Sequence, residues 1–129
     1  MPTEQLSPAV AVARAHVNAW SNHDFDAARS SLAADVRVTA TTTQPIMPDT
    51  DLTGIDDYMT GLVHFAEAVV PGSAQVIASI GDQRNALLLL TVEANLGAGK
   101  VTLPAARLYQ LDDNEKIKAE QVVFYAAAD

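Results

Sequence analysis

The sequence predicts an α+β fold in which three N-terminal helices pack on the concave face of a curved, mainly antiparallel sheet. Three observations predict it. Apolar residues recur with helical spacing through much of the first 70 residues, alternating apolar runs fill the remainder, and hairpin-type turns separate those runs. Because the helices come first and the strands last, we expect the helices to form one layer over the sheet.

The first helix is predicted to begin at Ser7 and Pro8. Serine is a favoured N-cap, and proline fits the first helical position because that position needs no N–H donor. The apolar face of this helix carries His16 and Trp20, so both side chains are expected to cover the sheet. The polar segment 21–23 ends the helix.

Two further helices follow. Asp24 is predicted to cap a short helix from residue 25 to about residue 32. The pair Thr53 and Asp56 has the spacing of a capping box and predicts the start of the third helix. That helix has the cleanest amphipathic pattern of the chain, with His64 on its polar side and an apolar face that includes Tyr58, Met59, Leu62 and Phe65.

A first strand is predicted over residues 36–43, and four more form a meander. Glycine, aspartate and asparagine at the connections are typical of hairpin turns. The meander strands are predicted at about 74–80, 85–96, 100–111 and 116–126.

Two of these strands, 85–96 and 100–111, are apolar on both alternating faces. An antiparallel sheet with one solvated face should instead alternate between apolar and polar residues. The helix-free face of the sheet is therefore predicted to form a homodimer interface. The alternative is that loops of the same chain cover this face.

Composition limits the functions open to the chain. Its 129 residues are predicted to form one domain, 1–129, and 49% are hydrophobic and 19% charged. The net charge of −8 and the scattered basic residues argue against nucleic-acid and anionic-membrane partners. The sequence contains no cysteine, no bilayer-length apolar run and no basic-then-apolar leader pattern, so we expect a cytoplasmic location.

The order of the elements, with HVNAWSNHDFDAARSSLAADVRV at the front, resembles the nuclear transport factor 2-like (NTF2-like) superfamily, in its SnoaL-like branch. That branch is related to polyketide cyclases and ketosteroid isomerases. The resemblance implies a cone-shaped fold with a hydrophobic pocket open at one end. It implies either a cofactor-free isomerase, cyclase or lyase acting on a polyketide- or steroid-like compound, or a non-catalytic ligand-binding or dimerisation module.

Two chemistries of related enzymes are not expected here. Where ketosteroid isomerases carry the proton-shuttling aspartate and the second, protonated aspartate, this chain has Ala40 and Ala106. Without a base at that place the α-proton cannot be moved in the same way. Limonene epoxide hydrolases use an Asp-Arg-Asp set, and in the nearest match here, Arg107-Leu108-Tyr109, Tyr109 stands where a carboxylate belongs.

Comparison with these related enzymes also predicts which residues act in the pocket and which line it. His16 and Glu120 are the candidate acid–base pair, and Tyr58 is a candidate orienting donor. The alternatives are a purely structural buried pair, or a Glu120 that is solvated at the rim. The segment 44–51 is either a lid or simply mobile, and no metal or cofactor is predicted. The ligand-contacting residues are predicted to be Trp20, Val38, Ala40, Met59, Leu62, Phe65, Ala106, Leu108, Val122 and Phe124.

Overall fold

The computed structural model describes residues 7–42, 50–95, 97 and 99–124. It confirms the α+β class, with the helices on one face of a curved sheet. The elements, in chain order, are α1 (Pro8–Ser21), α2 (Phe25–Ser30), β1 (Leu32–Thr42), β2 (Thr50–Thr53), α3 (Ile55–Ala66), β3 (Gln75–Gly81), β4 (Asn85–Asn95), β5 (Lys100–Leu111) and β6 (Ile117–Phe124).

The first two helices begin where the sequence predicts. The hydroxyl of Ser7 accepts a hydrogen bond from the Val10 N–H at 3.1 Å, which satisfies one of the free donors at the start of α1. The Asp24 carboxylate accepts from the Ala27 N–H at 3.3 Å and caps α2. α2 is shorter than predicted, because Leu32 already belongs to β1.

The predicted capping box of the third helix is wrong. The N-cap of α3 is Gly54, which has a φ of 96° and provides no side-chain hydrogen bond. This backbone conformation favours glycine, since a Cβ would be strained there. Thr53 instead ends β2, a short strand that the sequence did not predict and that pairs with β1.

The six strands lie in the order β2-β1-β6-β5-β4-β3. All neighbours are antiparallel except β1 and β6, which run parallel. Two pairs of neighbouring residues fix the position of Glu120 in the sheet. Glu120 of β6 lies beside Val38 of β1 on one side and beside Tyr109 of β5 on the other.

Side chains of alternate residues on each strand point towards the helices and form the core. On β4 the buried set includes Leu88 and Leu90. On β5 the inward set is Leu103, Ala105, Arg107, Tyr109 and Leu111.

The orientation predicted for β5 is therefore wrong. Ala106 and Leu108 were expected to face the pocket, but they lie on the outer, helix-free face, half-buried and paired in register with Leu89 and Leu87 of β4. A strand displaced by one residue presents every side chain on the opposite face. The predicted lid segment 44–51 lies outside the described residues except for Thr50 and Asp51, which belong to β2.

Within the described residues, no helix combines the length and the apolar character needed to cross a bilayer.

Candidate functional site

Four polar side chains lie buried together between the helices and the sheet. They are His16 of α1, Tyr58 of α3, Arg107 of β5 and Glu120 of β6, and none is more than 4% exposed. Polar groups are kept in an apolar interior only when partners replace the lost water. Each of the four has such a partner within the group, and we call the group the buried tetrad.

The tetrad forms one continuous chain of hydrogen bonds. His16 Nε2 lies 3.0 Å from the Tyr58 hydroxyl oxygen, and the Tyr58 hydroxyl donates a hydrogen bond to Glu120 Oε1. Arg107 Nη1 donates to the other carboxylate oxygen, Oε2, at 2.9 Å. Both oxygens of Glu120 are thus occupied, one by a phenol and one by a guanidinium.

The far side of the His16 ring is held by α2 and the residue after it. His16 Nδ1 lies 3.1 Å from the carbonyl oxygen of Ala28 and 3.0 Å from the hydroxyl oxygen of Ser31. In one neutral tautomer Nδ1–H donates to the carbonyl, which leaves a lone pair at Nε2. In the other, the Ser31 hydroxyl donates to Nδ1, and Nε2–H donates to Tyr58. Because the Tyr58 proton is donated to Glu120, only the tautomer with Nε2–H places a hydrogen between His16 and Tyr58 and completes the chain.

Burial sets the charge states of the tetrad. Desolvation lowers the pKa of His16 below its ordinary value of 6.5, so the imidazole is neutral at pH 7. Burial alone would raise the pKa of Glu120, but the neighbouring Arg107 guanidinium outweighs this effect, and the pKa of Glu120 is lowered. Burial and the neighbouring Glu120 raise the pKa of Tyr58 well above its ordinary value. Glu120 and Arg107 are thus ionised and mutually compensated, and Tyr58 is protonated.

An aromatic group surrounds the Arg107 end of the tetrad. The guanidinium carbon of Arg107 lies 4.8 Å from the centre of the Trp20 ring. It lies 5.8 Å from the ring centres of both Phe65 and Phe124. These rings present their electron-rich faces to the cation, which supplements the ion pair with Glu120.

The structure brings most of the predicted site residues to the inner face of the sheet or to the helices that cover it. His16 and Glu120 both face inward, connected through Tyr58. The buried members of the predicted ligand set are Trp20, Val38, Met59, Leu62, Val122 and Phe124, and Ala40 and Phe65 are half-buried against the same core.

The sequence analysis did not place Arg107 and Tyr109 in the interior. Both lie on the inner face of β5, next to Glu120. The predicted hairpin between β5 and β6 could have placed both residues, because its register fixes which β5 residues share a face with Glu120.

The surface also carries a depression of about 490 Å³ on the outer side of α3, away from the tetrad. Its lining shares only Met59 with the predicted ligand set and consists of Arg29, Asp56, Met59, Thr60, Val63, His64 and Glu67. In the part of the chain that the structure describes, no group of three histidine, aspartate or glutamate side chains is arranged to hold a metal ion.

The lowered pKa of His16 predicts a pH-dependent stability. The unfolded chain, with an ordinary histidine pKa of 6.5, binds more protons than the folded chain below that pH, so we expect the free energy of unfolding to fall as the pH drops through 6.5. Glu120 adds a further loss as the pH falls below 4.5, because its pKa is also lowered by folding. Urea unfolding measured from neutral pH downward checks both.

His16→Gln should remove the loss that begins near pH 6.5 and leave the loss at lower pH. His64→Gln is the matched control, because His64 is exposed on α3. Equal acid sensitivity of the wild type and His16→Gln above pH 4.5 would contradict the assignment of the first loss to His16.

Comparison with known structures defines the class of the fold. A protein from Kribbella flavida superposes with a TM-score of 0.73 at 24% identity, covering 88% of this chain and 84% of that one. A Mycobacterium tuberculosis protein in complex with estradiol-17β-hemisuccinate gives 0.75 at 13% identity, with 91% and 93% covered. An epoxide hydrolase of the limonene epoxide hydrolase-like kind from M. tuberculosis gives 0.70 at 20% identity, with 91% and 82% covered. The fold is NTF2-like.

The family follows from the sequence itself. Residues 13–120 match the SnoaL-like domain, and the chain belongs to that family. This confirms the predicted resemblance. No curated protein matches the chain by sequence.

Proposed function

We propose that the chain binds a small hydrophobic molecule between its helices and its sheet, and that the buried tetrad exchanges protons with it. The observation that carries the proposal is the unbroken hydrogen-bonded chain from His16 through Tyr58 to Glu120 inside an apolar core. The steroid ester bound by the M. tuberculosis neighbour supports a ligand of this hydrophobic kind. The corresponding enzyme class is a cofactor-free isomerase, cyclase or lyase.

The proton transfers would proceed as follows. Glu120 Oε1 takes a proton from a C–H group next to a ligand carbonyl, and the Tyr58 hydroxyl turns to donate a hydrogen bond to the carbonyl oxygen, which becomes an enolate oxygen. His16 Nε2–H keeps its proton and donates a hydrogen bond to the Tyr58 oxygen, while the Ser31 hydroxyl donates to Nδ1. Return of the proton from Glu120 to another carbon completes an isomerisation without net gain or loss of protons.

A second function, a non-catalytic binding module, is favoured by a specific observation. Both Glu120 oxygens are already engaged, and the nearby Arg107 lowers the pKa of Glu120. A carboxylate stabilised in this way is a weaker base. In this function the tetrad only stabilises the fold, and the ligand is held without being changed.

Deuterium exchange separates the two functions. We expect the protein to accelerate exchange of the α-protons of 2-tetralone in D₂O, followed by NMR, and Tyr58→Phe to reduce that acceleration on the order of 100-fold, since it removes the hydrogen-bond donor to the enolate oxygen. Glu120→Gln should do the same and abolish the pH dependence. Glu67→Gln is the matched control, because Glu67 is exposed at the C-cap of α3.

Binding is measured in parallel by calorimetry. If 2-tetralone binds and no exchange above the buffer rate is found, the catalytic function is wrong and the binding module stands. If neither 2-tetralone nor larger hydrophobic compounds bind, both functions fail.

We also propose that the chain forms a homodimer through the helix-free face of the sheet. Large apolar side chains are exposed on β3 and β6, with Ile80 at 71% and Val123 at 42%. Beside them lie the half-buried Leu87 and Leu108. An exposed apolar surface of this kind is typical of protein interfaces.

Analytical ultracentrifugation tests the dimer. We expect a sedimenting mass of two chains for the wild type and of one chain for Ile80→Lys, because the added charge would be buried at the interface. A single-chain mass for the wild type at high protein concentration would contradict the dimer.

A further inference from the structure

Ser31 connects the buried tetrad to the end of α2. It is the C-cap residue of that helix, and its hydroxyl oxygen lies 3.0 Å from His16 Nδ1 and 2.9 Å from the carbonyl oxygen of Ala28. His16 Nδ1 lies 3.1 Å from the same carbonyl oxygen. The Ser31 hydroxyl has one proton to donate, either to the carbonyl or to Nδ1. Its choice is linked to the nitrogen on which neutral His16 carries its own proton.

Backbone hydrogen bonds hold Ser31 in this place. Its carbonyl oxygen accepts from the Ile117 N–H of β6 at 2.8 Å, and its N–H donates to the Ala28 carbonyl at 3.4 Å. The next residue, Leu32, pairs in register with Ile117. Ser31 is therefore tied both to α2 and to the strand that carries Glu120, with its hydroxyl already within hydrogen-bond distance of His16.

With the His16 proton on Nε2, the groups around the ring are paired. Nε2–H donates to the Tyr58 oxygen, and Tyr58 keeps its own hydrogen bond to Glu120. Nδ1 must then accept, and the Ser31 hydroxyl is in place to donate to it. The Ala28 carbonyl retains the Ser31 N–H as a donor, so it is not left without a partner.

With the His16 proton on Nδ1, the tetrad changes. Nδ1–H donates to the Ala28 carbonyl, and the bare Nε2 faces the Tyr58 oxygen at 3.0 Å. Either the lone pairs of these two atoms repel each other, or the Tyr58 hydroxyl turns to Nε2 and Glu120 loses its hydrogen bond. Both arrangements cost free energy in a buried site.

We propose that Ser31 is a positioning residue of the buried tetrad: its hydroxyl donates to His16 Nδ1 and thereby keeps the His16 proton on Nε2. In this tautomer Nε2 cannot compete for the Tyr58 hydroxyl, which stays available to Glu120 and to a ligand. The consequence for catalysis rests on the proposed proton exchange, whereas the consequence for the tautomer does not.

Nitrogen-15 NMR of the ligand-free protein tests the proposal, because the bare and the protonated nitrogen of a neutral imidazole resonate far apart. Spectra are recorded above pH 6.5, the ordinary histidine pKa, and the His16 signals are identified by their loss in His16→Gln. We expect the proton on Nε2 in the wild type and on Nδ1 in Ser31→Ala, a change of about ten-fold or more in the tautomer ratio. Ser31→Thr keeps the hydroxyl and should restore the wild-type tautomer.

Ser30→Ala is the matched control. The Ser30 hydroxyl also donates to the carbonyl three residues earlier, that of Ala27 at 2.7 Å, but Ser30 is exposed on α2. Its removal should leave the tautomer of His16 unchanged. Equal responses of Ser30→Ala and Ser31→Ala would overturn the proposal, because a disturbed helix end would then be enough to move the proton.

The same variants are measured in deuterium exchange with 2-tetralone. Ser31→Ala should lower the rate at saturating ketone about ten-fold and leave KM nearly unchanged, because Ser31 acts through His16 and Tyr58 and not on the ligand. Ser31→Thr should recover most of the rate.

The outcomes separate this role from the proposed function. A proton that stays on Nε2 in Ser31→Ala, or that lies on Nδ1 in the wild type, overturns the role of Ser31 and leaves the proposed function intact. Failure of Ser31→Thr to restore the tautomer overturns the role as well. If the wild type does not accelerate exchange, the catalytic function fails, and the tautomers still decide whether Ser31 positions His16.

Discussion

Arg107→Ala is expected to lower the free energy of unfolding by about 3–5 kcal/mol. The substitution leaves the Glu120 carboxylate, whose side chain is 2% exposed, as an unpaired charge in the core. The cost is that of the uncompensated charge and not the net contribution of the ion pair, because both charges lost their hydration when they were buried. Urea unfolding at neutral pH measures the effect.

The chain contains a matched control for this prediction. Arg84 and Asp113 form an ion pair of 2.6 Å at the surface, with side chains 54% and 90% exposed. Arg84→Ala should cost less than about 1 kcal/mol, because water replaces the lost partner.

The double variant Arg107→Met with Glu120→Leu provides the second comparison. It should be more stable than Arg107→Ala, since it leaves no buried charge behind. A double variant as unstable as Arg107→Ala would contradict the assignment of the loss to the unpaired carboxylate.

Trp20→Ala is expected to destabilise the fold by a similar amount, about 3–5 kcal/mol. Trp20 is fully buried, contacts Phe65 edge-to-face at 5.8 Å between ring centres and supports the guanidinium of Arg107. Its removal opens a cavity in the core and also takes away the aromatic face on which the cation rests. Thermal or urea unfolding, followed by circular dichroism because the tryptophan signal is lost, gives the measurement.

Trp20→Phe separates the two contributions. It keeps an aromatic face for Arg107 and leaves a smaller cavity, so it should cost clearly less than Trp20→Ala. Equal losses for the two variants would mean that the indole nitrogen or the full size of the ring is what the core requires.

Local features of the fold followed from the sequence because their causes are local. Ser7 and Asp24 cap helices through hydrogen bonds that span three residues, and a short-range pattern is enough to identify them. β2 was missed for the opposite reason. Its four residues are ordered by pairing with β1, and its Thr53 resembles a helix cap only when that pairing is unknown.

The site was predicted in part, and the error on β5 has a specific cause. Residues on both faces of this strand are apolar, so hydrophobicity does not tell which face is inward. The hairpin register does, since a turn centred between Asn114 and Glu115 pairs position 109 with position 120. If Glu120 faces inward, Tyr109 and Arg107 must do so too, and Leu108 cannot. The inward prediction of Leu108 together with Glu120 was thus internally inconsistent.

The central position of β6 has a consequence for synthesis on the ribosome. This strand is the last of the described strands in chain order, yet it lies between β1 and β5 and joins an otherwise divided sheet. Until it emerges, β2-β1 and β5-β4-β3 are separate pieces with open inner edges, a state prone to wrong pairing. Because β6 also carries Glu120, a nascent chain joins the two parts of the sheet and gains the central carboxylate of the buried tetrad in the same step.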